Sequence, residues 1–220
     1  MRPPLALVLA ALLLARVHAA DHPAAVTWRL DQTAQVGGQT TIVLGAPGVV
    51  TGPLGQAVHF NGASDGLFVP VNPLAGWSQF TVEILFQPEE GGLEAQRFVH
   101  IQDPAWRVMI ETRLDGKGGW WLDTFLGNNT KGQPLIDAKR VHPTGRWYWV
   151  ALRYDGQHMI HFVNGEKELE ADAVFGPMTA GQISLGVRQN KVYWFKGSIG
   201  EVRFHPTALA PAELQRVDAK

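Results

Sequence analysis

The sequence predicts an all-β protein, an antiparallel two-sheet jelly-roll sandwich with a short C-terminal helix. Three observations predict it. Short runs of alternating apolar and polar residues recur along the chain, the period of a strand with one buried face. Turn pairs such as Asn61-Gly62, Asp155-Gly156 and Asn164-Gly165 separate them at short, regular intervals. Long charged helical stretches are absent, and 220 residues are enough for one large β domain.

Residues 1–19 read as a signal peptide and residues 20–220 as one domain. Arg2 supplies a basic start, Leu5–Ala15 an apolar segment short for a bilayer, and Val17-His18-Ala19 small residues around a cleavage point. The expectation is a secreted or periplasmic mature chain without a membrane span. Losing Arg2 and Arg16 takes the formal charge of −1 two units lower. That balance, with no basic run, argues against a nucleic-acid partner. With no cysteine, an exported domain must hold together by its core, and thiol nucleophiles and Cys-ligated zinc are excluded.

Val26–Leu30 reads as the first strand and Thr40–Leu44 as the second, with 46–55 as Gly/Pro turn material. Ala57–Phe60 and Leu67–Val71 flank the turn Asn61–Gly66. In Phe80–Phe86, the residues Phe80, Val82, Ile84 and Phe86 make a core face and Glu83 points away. Arg97–Gln102 leads into the most informative stretch, Arg107–Leu126. There Val108, Ile110, Thr112 and Leu114 share one face, and Trp120, Leu122, Thr124 and Leu126 another. Asp115-Gly116-Lys117-Gly118-Gly119 joins them as a hairpin turn. With Lys117 at the tip, Leu114 opposes Trp120 and Glu111 opposes Asp123. Opposed Cβ atoms lie roughly 5 Å apart, so two carboxylates repel unless a cation or shared proton intervenes. Arg113, two residues along, is the expected cation, and Trp121 and Phe125 complete that face.

Trp147–Tyr154, Met159–Val163, Gln182–Arg188, Lys191–Phe195 and Ser198–Phe204 read as further strands, and Pro211–Val217 as the helix. Arg188, Asn190, Trp194 and Lys196 form a second polar and aromatic cluster. Arg97, His100 and His142 add polar groups. Trp147 reads as core, and Trp121 and Trp194 as core or stacking platform alike.

Several segments together carry a family resemblance. They are Trp28-Arg29-Leu30-Asp31, Gly55–Gly62, Phe80-Thr81-Val82-Glu83, Gly145–Leu152, Phe162-Val163-Asn164-Gly165, Phe195–Phe204 and Ala208–Leu214. In order and spacing they resemble the laminin-G-like jelly-roll domains of the concanavalin A-like lectin and glucanase superfamily. The resemblance covers nearly all of the mature chain. It implies two antiparallel sheets, one concave, in a family of carbohydrate-binding modules, adhesion modules and, in related branches, glycosidases and lyases. Acidic residues of the family commonly support calcium. Here Asn61 and Gly200 stand at two such positions, leaving Asp31 and Asp65 as candidate calcium ligands. Capping of turns is the competing reading of both.

Other patterns carry less. Gly62-Ala63-Ser64-Asp65-Gly66 matches the serine-hydrolase elbow, but that motif needs a helix after it, and a strand follows. Glu166, Glu168 and Glu170 alternate as on a solvated edge strand. His158 and His161, on one strand, face opposite sides and make poor co-ligands.

The leading expectation is a secreted module that binds carbohydrate or another extracellular ligand on its concave sheet. Its candidate binding residues are Arg97, His100, Glu111, Arg113, Trp121, Asp123, Arg188, Asn190, Trp194 and Lys196. The alternative is a glycoside hydrolase or lyase with Glu111 and Asp123 as its carboxylate pair, a spacing suited to a retaining mechanism. Against it, Arg113 would hold both carboxylates ionised. A third reading is a structural or adhesion module that recognises a protein.

Overall fold

Eighteen strands, almost all of them antiparallel hairpin or crossover partners, make up the protein in a computed structural model that describes residues 24–217. The expected signal peptide lies outside the described residues. In chain order the strands are β1 (Val26–Arg29), β2 (Gln35–Val36), β3 (Gln39–Thr40), β4 (Ile42–Leu44), β5 (Gly48–Gly52) and β6 (Gly55–Asn61). Next come β7 (Gly66–Val69), β8 (Phe80–Pro88), β9 (Ala95–Gln102), β10 (Trp106–Leu114), β11 (Gly119–Asn128) and β12 (Gly132–Ile136). The last six are β13 (His142–Pro143), β14 (Tyr148–Tyr154), β15 (His158–Val163), β16 (Glu166–Asp172), β17 (Gln182–Leu185) and β18 (Lys196–His205).

Two eight-stranded sheets stack as a sandwich. One runs β16-β15-β14-β8-β18-β6-β5 with β1 added on β18. The other runs β12-β11-β10-β9-β17-β7-β4 with β13 added on β11. The chain crosses between sheets repeatedly: β6 and β8 lie in the first sheet and the intervening β7 in the second. The all-β jelly-roll sandwich expected from the alternation is what the chain forms.

The inward residues of both sheets build one core. Phe80, Val82, Ile84 and Phe86 of β8 meet Val99, Ile101, Val108, Ile110, Trp120 and Leu122 of the second sheet, all of them buried. Phe86 and Phe98 stack with centroids 4.4 Å apart, and Trp120 meets Phe86 edge-on. The outer face of the first sheet is covered by the chain's own C-terminal segment. Leu214 packs with Ala151 and Phe162, and buried Glu83 accepts the Gln215 N–H at 2.7 Å and pairs with His205. These contacts explain why the expected helix over 211–217 shrinks to one 3₁₀ turn, Pro211–Glu213. Leu214 is already extended, because the segment binds the sheet through its backbone instead of continuing a helix.

The structure corrects four other readings. Residues 48–52 of the presumed turn form β5, an edge strand paired to β6 from Gly48↔His59 to Gly52↔Gly55. Exposure of its side chains removes the burial pattern that marks a strand. Lys191–Phe195 is a loop: Lys191 and Tyr193 have φ of 60° and 59°, which no strand tolerates. Trp147 is half-buried against Gly52, not core. In β16, a bulge opposite His161 and Phe162 turns Glu168 inward. There it pairs with His142 at 2.7 Å while Glu166 and Glu170 stay exposed.

Candidate functional site

The β10–β11 hairpin has the register its turn predicts. Leu114 pairs with Trp120, Arg113 with Trp121 and Glu111 with Asp123. Asp115 fixes the turn by accepting the Lys117 and Gly119 N–H groups. Alternation then puts Arg107, Met109, Glu111, Arg113, Trp121, Asp123 and Phe125 on the outer face of the second sheet.

A bulge in β9 decides what stands beside them. Ile110 pairs with Val99, but Glu111 pairs with Arg97, so Phe98 is the extra residue. Phe98 and Val99 both enter the core. Arg97 and His100, three residues apart, both point outward. Regular alternation would place them on opposite faces.

Glu111 and Asp123 are only 1% and 4% exposed. Each has its own arginine. Arg113 donates from Nε to Asp123 Oδ2 at 2.8 Å, with its Nη2 at the same distance. Arg97 Nε lies 2.8 Å from Glu111 Oε1. Arg113 therefore does not neutralise both carboxylates. Burial first, and Asp123's negative charge second, push the Glu111 carboxyl up to about 7 against the opposing pull of Arg97 and Arg113. Glu111 thus exchanges its proton near neutral pH. It is also sealed beneath the arginines, out of contact with any substrate.

The loop from Arg188 to Phe195 folds onto this face. Tyr193, in its left-handed conformation, accepts the Arg97 N–H on its carbonyl at 2.9 Å and lays its ring over the Arg97 guanidinium, 3.8 Å from centroid to Cζ. The Gln189 N–H donates to His100 Nδ1 at 3.1 Å, and the Gln189 amide donates to the His100 carbonyl. An accepting Nδ1 puts the His100 proton on Nε2. Burial, then the nearby Arg188, Arg107 and Arg97, lower the His100 pKa to about 3, so the ring is neutral. At the far side of the hairpin Arg107 sits 5.2 Å above the Phe125 ring, which lies flat across Gly127 and Gly132.

The structure thus gathers Arg97, His100, Glu111, Arg113, Asp123 and Arg188 on one face, with Trp121 at its end. Trp121 is half-buried and lines a cleft of about 780 Å³ together with Glu90, Glu94, Asp115 and Thr144. Trp194 and Asn190 ride on the covering loop, half-buried and exposed. Lys196 belongs elsewhere: it opens β18 opposite Asn61, donates its backbone N–H to Gln96 Oε1, and packs against Gly62 and Gly92. Tyr193, Gln189 and Arg107 are members that sequence reasoning did not select. For Tyr193 and Gln189 the only sequence signal is the dense polar and aromatic run Arg188–Lys196, which a strand reading disguises, while Arg107 opens the outward face of the hairpin by simple alternation.

Calcium does not fit the two aspartates. Asp65 is buried with both oxygens turned to N–H donors, Oδ1 to Ala46 at 2.9 Å and Oδ2 to Asn61 at 3.1 Å. Asn61 caps the same turn through the Ala63 and Ser64 N–H groups. A cation would face amide hydrogens there. Asp31 is exposed in a separate cleft with Arg29, Gln32 and Gln35. Among the described residues no three His, Cys, Asp or Glu side chains group to hold a metal.

Two antiparallel sheets, repeatedly crossed by the chain and carrying a polar and aromatic outer face, define a lectin-like sandwich domain. The chain belongs to the concanavalin A-like lectin/glucanases superfamily, whose laminin-G model matches residues 61–215. It is 25% identical over 141 residues to human pappalysin-1, a match that covers 58% of this chain and only 9% of that protein. Among solved structures it is similar to domain 4 of AbnA, an extracellular arabinanase from Geobacillus stearothermophilus, solved with arabinotriose. The identity is 21%, the TM-score 0.68, and the match covers 86% of this chain and 94% of that one. The binding domain of Paraclostridial Mosquitocidal Protein 1 matches at 14% identity and TM-score 0.63, over 86% and 50%. A heptameric pentraxin of Limulus polyphemus matches at 17% and 0.55, over 70% and 77%. At these identities the structural likeness is one of fold.

Proposed function

We propose that this chain is a carbohydrate-binding module that acts after export, in the periplasm or outside the cell, and takes a saccharide on the outer face of its second sheet. The observation that carries the reading is the ladder on β9–β10–β11: an outward Trp121 beside a cleft, next to arginines held in place by buried carboxylates. An aromatic plane suits the C–H face of a sugar ring, and a few fixed donors suit its hydroxyls. Membership of a lectin-like family, and arabinotriose in the AbnA domain, support it. Export rests on the N-terminal pattern Arg2, Leu5–Ala15 and Val17-His18-Ala19. The buried state of Glu111 and Asp123 favours binding over hydrolysis, because a glycosidic oxygen must reach the acid that protonates it.

The test is a glycan array followed by calorimetric titration of its best hits, with Trp121→Ala and Arg113→Gln as controls. Binding that weakens at least about tenfold in Trp121→Ala agrees with loss of a stacking platform. No binding to any saccharide, or equal binding by both variants, refutes the proposal.

A further inference from the structure

We propose that the corner around His100, flanked by Arg97 and Arg188 on one side and Arg107 on the other, is an anion subsite, which takes the carboxylate of a uronic acid or the sulfate ester of a saccharide. The saccharide part of this assignment rests on the function proposed above; the anion part stands on the geometry alone.

Two observations carry it. The first is a set of buried donors without acceptors. His100 is 1% exposed and Arg97 9%. His100 Nε2, Arg97 Nη1 and Arg107 Nε have no hydrogen-bond partner among the described residues. Buried N–H groups are normally satisfied, so three on one face define a place for an acceptor. All three are donors: His100 by its tautomer, because Nδ1 already accepts the Gln189 N–H, and the arginines by chemistry. A cation would find no ligand among them.

The second observation is the charge balance. Four arginines share the face with two carboxylates. Asp123 is taken by Arg113 and Glu111 by Arg97. Arg107 and Arg188 make no ion pair among the described residues. Both are near enough to His100 to act on it electrostatically, and Arg188 acts on Arg97 as well. The corner is therefore a positive field lined by idle donors. A neutral hydroxyl accepts a hydrogen bond but leaves the surplus charge unbalanced. A carboxylate or sulfate does both, and charge-assisted bonds from arginine are the stronger kind. Arg107 and Arg188 are half-buried and Asn190 is exposed, so an anion meets the two arginines at the edge of the corner, above the buried donors. The Arg188–Phe195 turn is held in shape by the Arg188 N–H to Val192 carbonyl bond and the Lys191 N–H to Arg188 carbonyl bond, so Arg188 is presented on a fixed scaffold.

Two measurements test the subsite. In the first, the His100 Nε2–H resonance of the full chain is followed by NMR while sodium sulfate is added, with sodium chloride at equal ionic strength as reference. The expectation is a saturable shift with sulfate, absent in Arg188→Gln. In the second, trigalacturonic acid, a sulfated galactotriose and neutral galactotriose are titrated calorimetrically into wild type and Arg188→Gln. The expectation is that one or both anionic sugars bind at least about tenfold tighter than the neutral one, and that Arg188→Gln brings that ratio close to one. The carboxylate and sulfate arms tell the two sources apart. A neutral sugar bound as tightly as its charged counterparts, with no saturable sulfate shift, overturns the subsite and leaves the binding-module reading intact. A saturable sulfate shift with no saccharide bound does the reverse.

Discussion

Replacing Glu111 by Gln should abolish a pH dependence of stability that wild type shows between pH 5 and 8. Below pH 4.5 the carboxyl is protonated in the folded and the unfolded chain alike. From 4.5 to about 7 the unfolded chain ionises while buried Glu111 keeps its proton. The folded state then binds more protons, so stability falls as pH rises through this window. A shift from 4.5 to about 7, at about 1.36 kcal/mol per pH unit, is worth about 3 kcal/mol. The measurement is urea unfolding of wild type and Glu111→Gln at half-unit steps from pH 5 to 8. The quantity of interest is the difference between the two proteins. Any cost in the variant that does not vary with pH, such as repacking around the buried amide, is common to all pH values and cancels. Other titrating groups are common to both proteins and cancel too. Wild type should lose about 3 kcal/mol relative to the variant as pH rises. If the difference is flat or of opposite sign, the arginines hold both carboxylates ionised, and the reasoning on burial is wrong.

Three further outcomes follow from the other buried polar groups. Burial, with Arg140 and His142 nearby, lowers the His161 pKa to about 3 from an ordinary 6.5. The unfolded chain binds a proton below 6.5 that the folded one refuses, so stability is lost as pH falls from 6.5 towards 3. His161→Gln should therefore flatten the acid limb of the unfolding curve by several kcal/mol, and an unchanged acid limb would contradict it. Asp65→Asn should cost about 1–3 kcal/mol in urea unfolding, since an amide sets a donor against the Ala46 or Asn61 N–H. EDTA or millimolar calcium should leave the melting temperature of wild type unchanged, whereas a calcium-dependent rise absent in the variant would restore a metal role.

Alternation and turn chemistry are local, and everything that rests on them was legible in the sequence. The period-two runs separate core from outer face in β8, β10 and β11. The Asp115–Gly119 turn sets the register that opposes Glu111 and Asp123. What alternation cannot see is a single inserted residue. The Phe98 bulge brings Arg97 and His100 to one face, and the Glu168 bulge turns an apparently solvated carboxylate inward. A bulge is chosen by the partner strand and by core packing, here the stack of Phe98 on Phe86 from the opposite sheet.

Partner choice across long sequence distances was equally hidden. Arg113 lies near both carboxylates in sequence, yet its direct ion pair is with Asp123, because β9 brings Arg97 to Glu111. Tyr193 reaches Arg97 only through a left-handed turn in a stretch that reads as a strand. The sequence by itself determined the sandwich, the hairpin and the residue types on its outward face, since those follow from side-chain periodicity and turn propensity. The tertiary structure alone decided which arginine meets which carboxylate and which donors stay unpartnered, because charge pairing and burial depend on strands far apart in the chain being folded against one another.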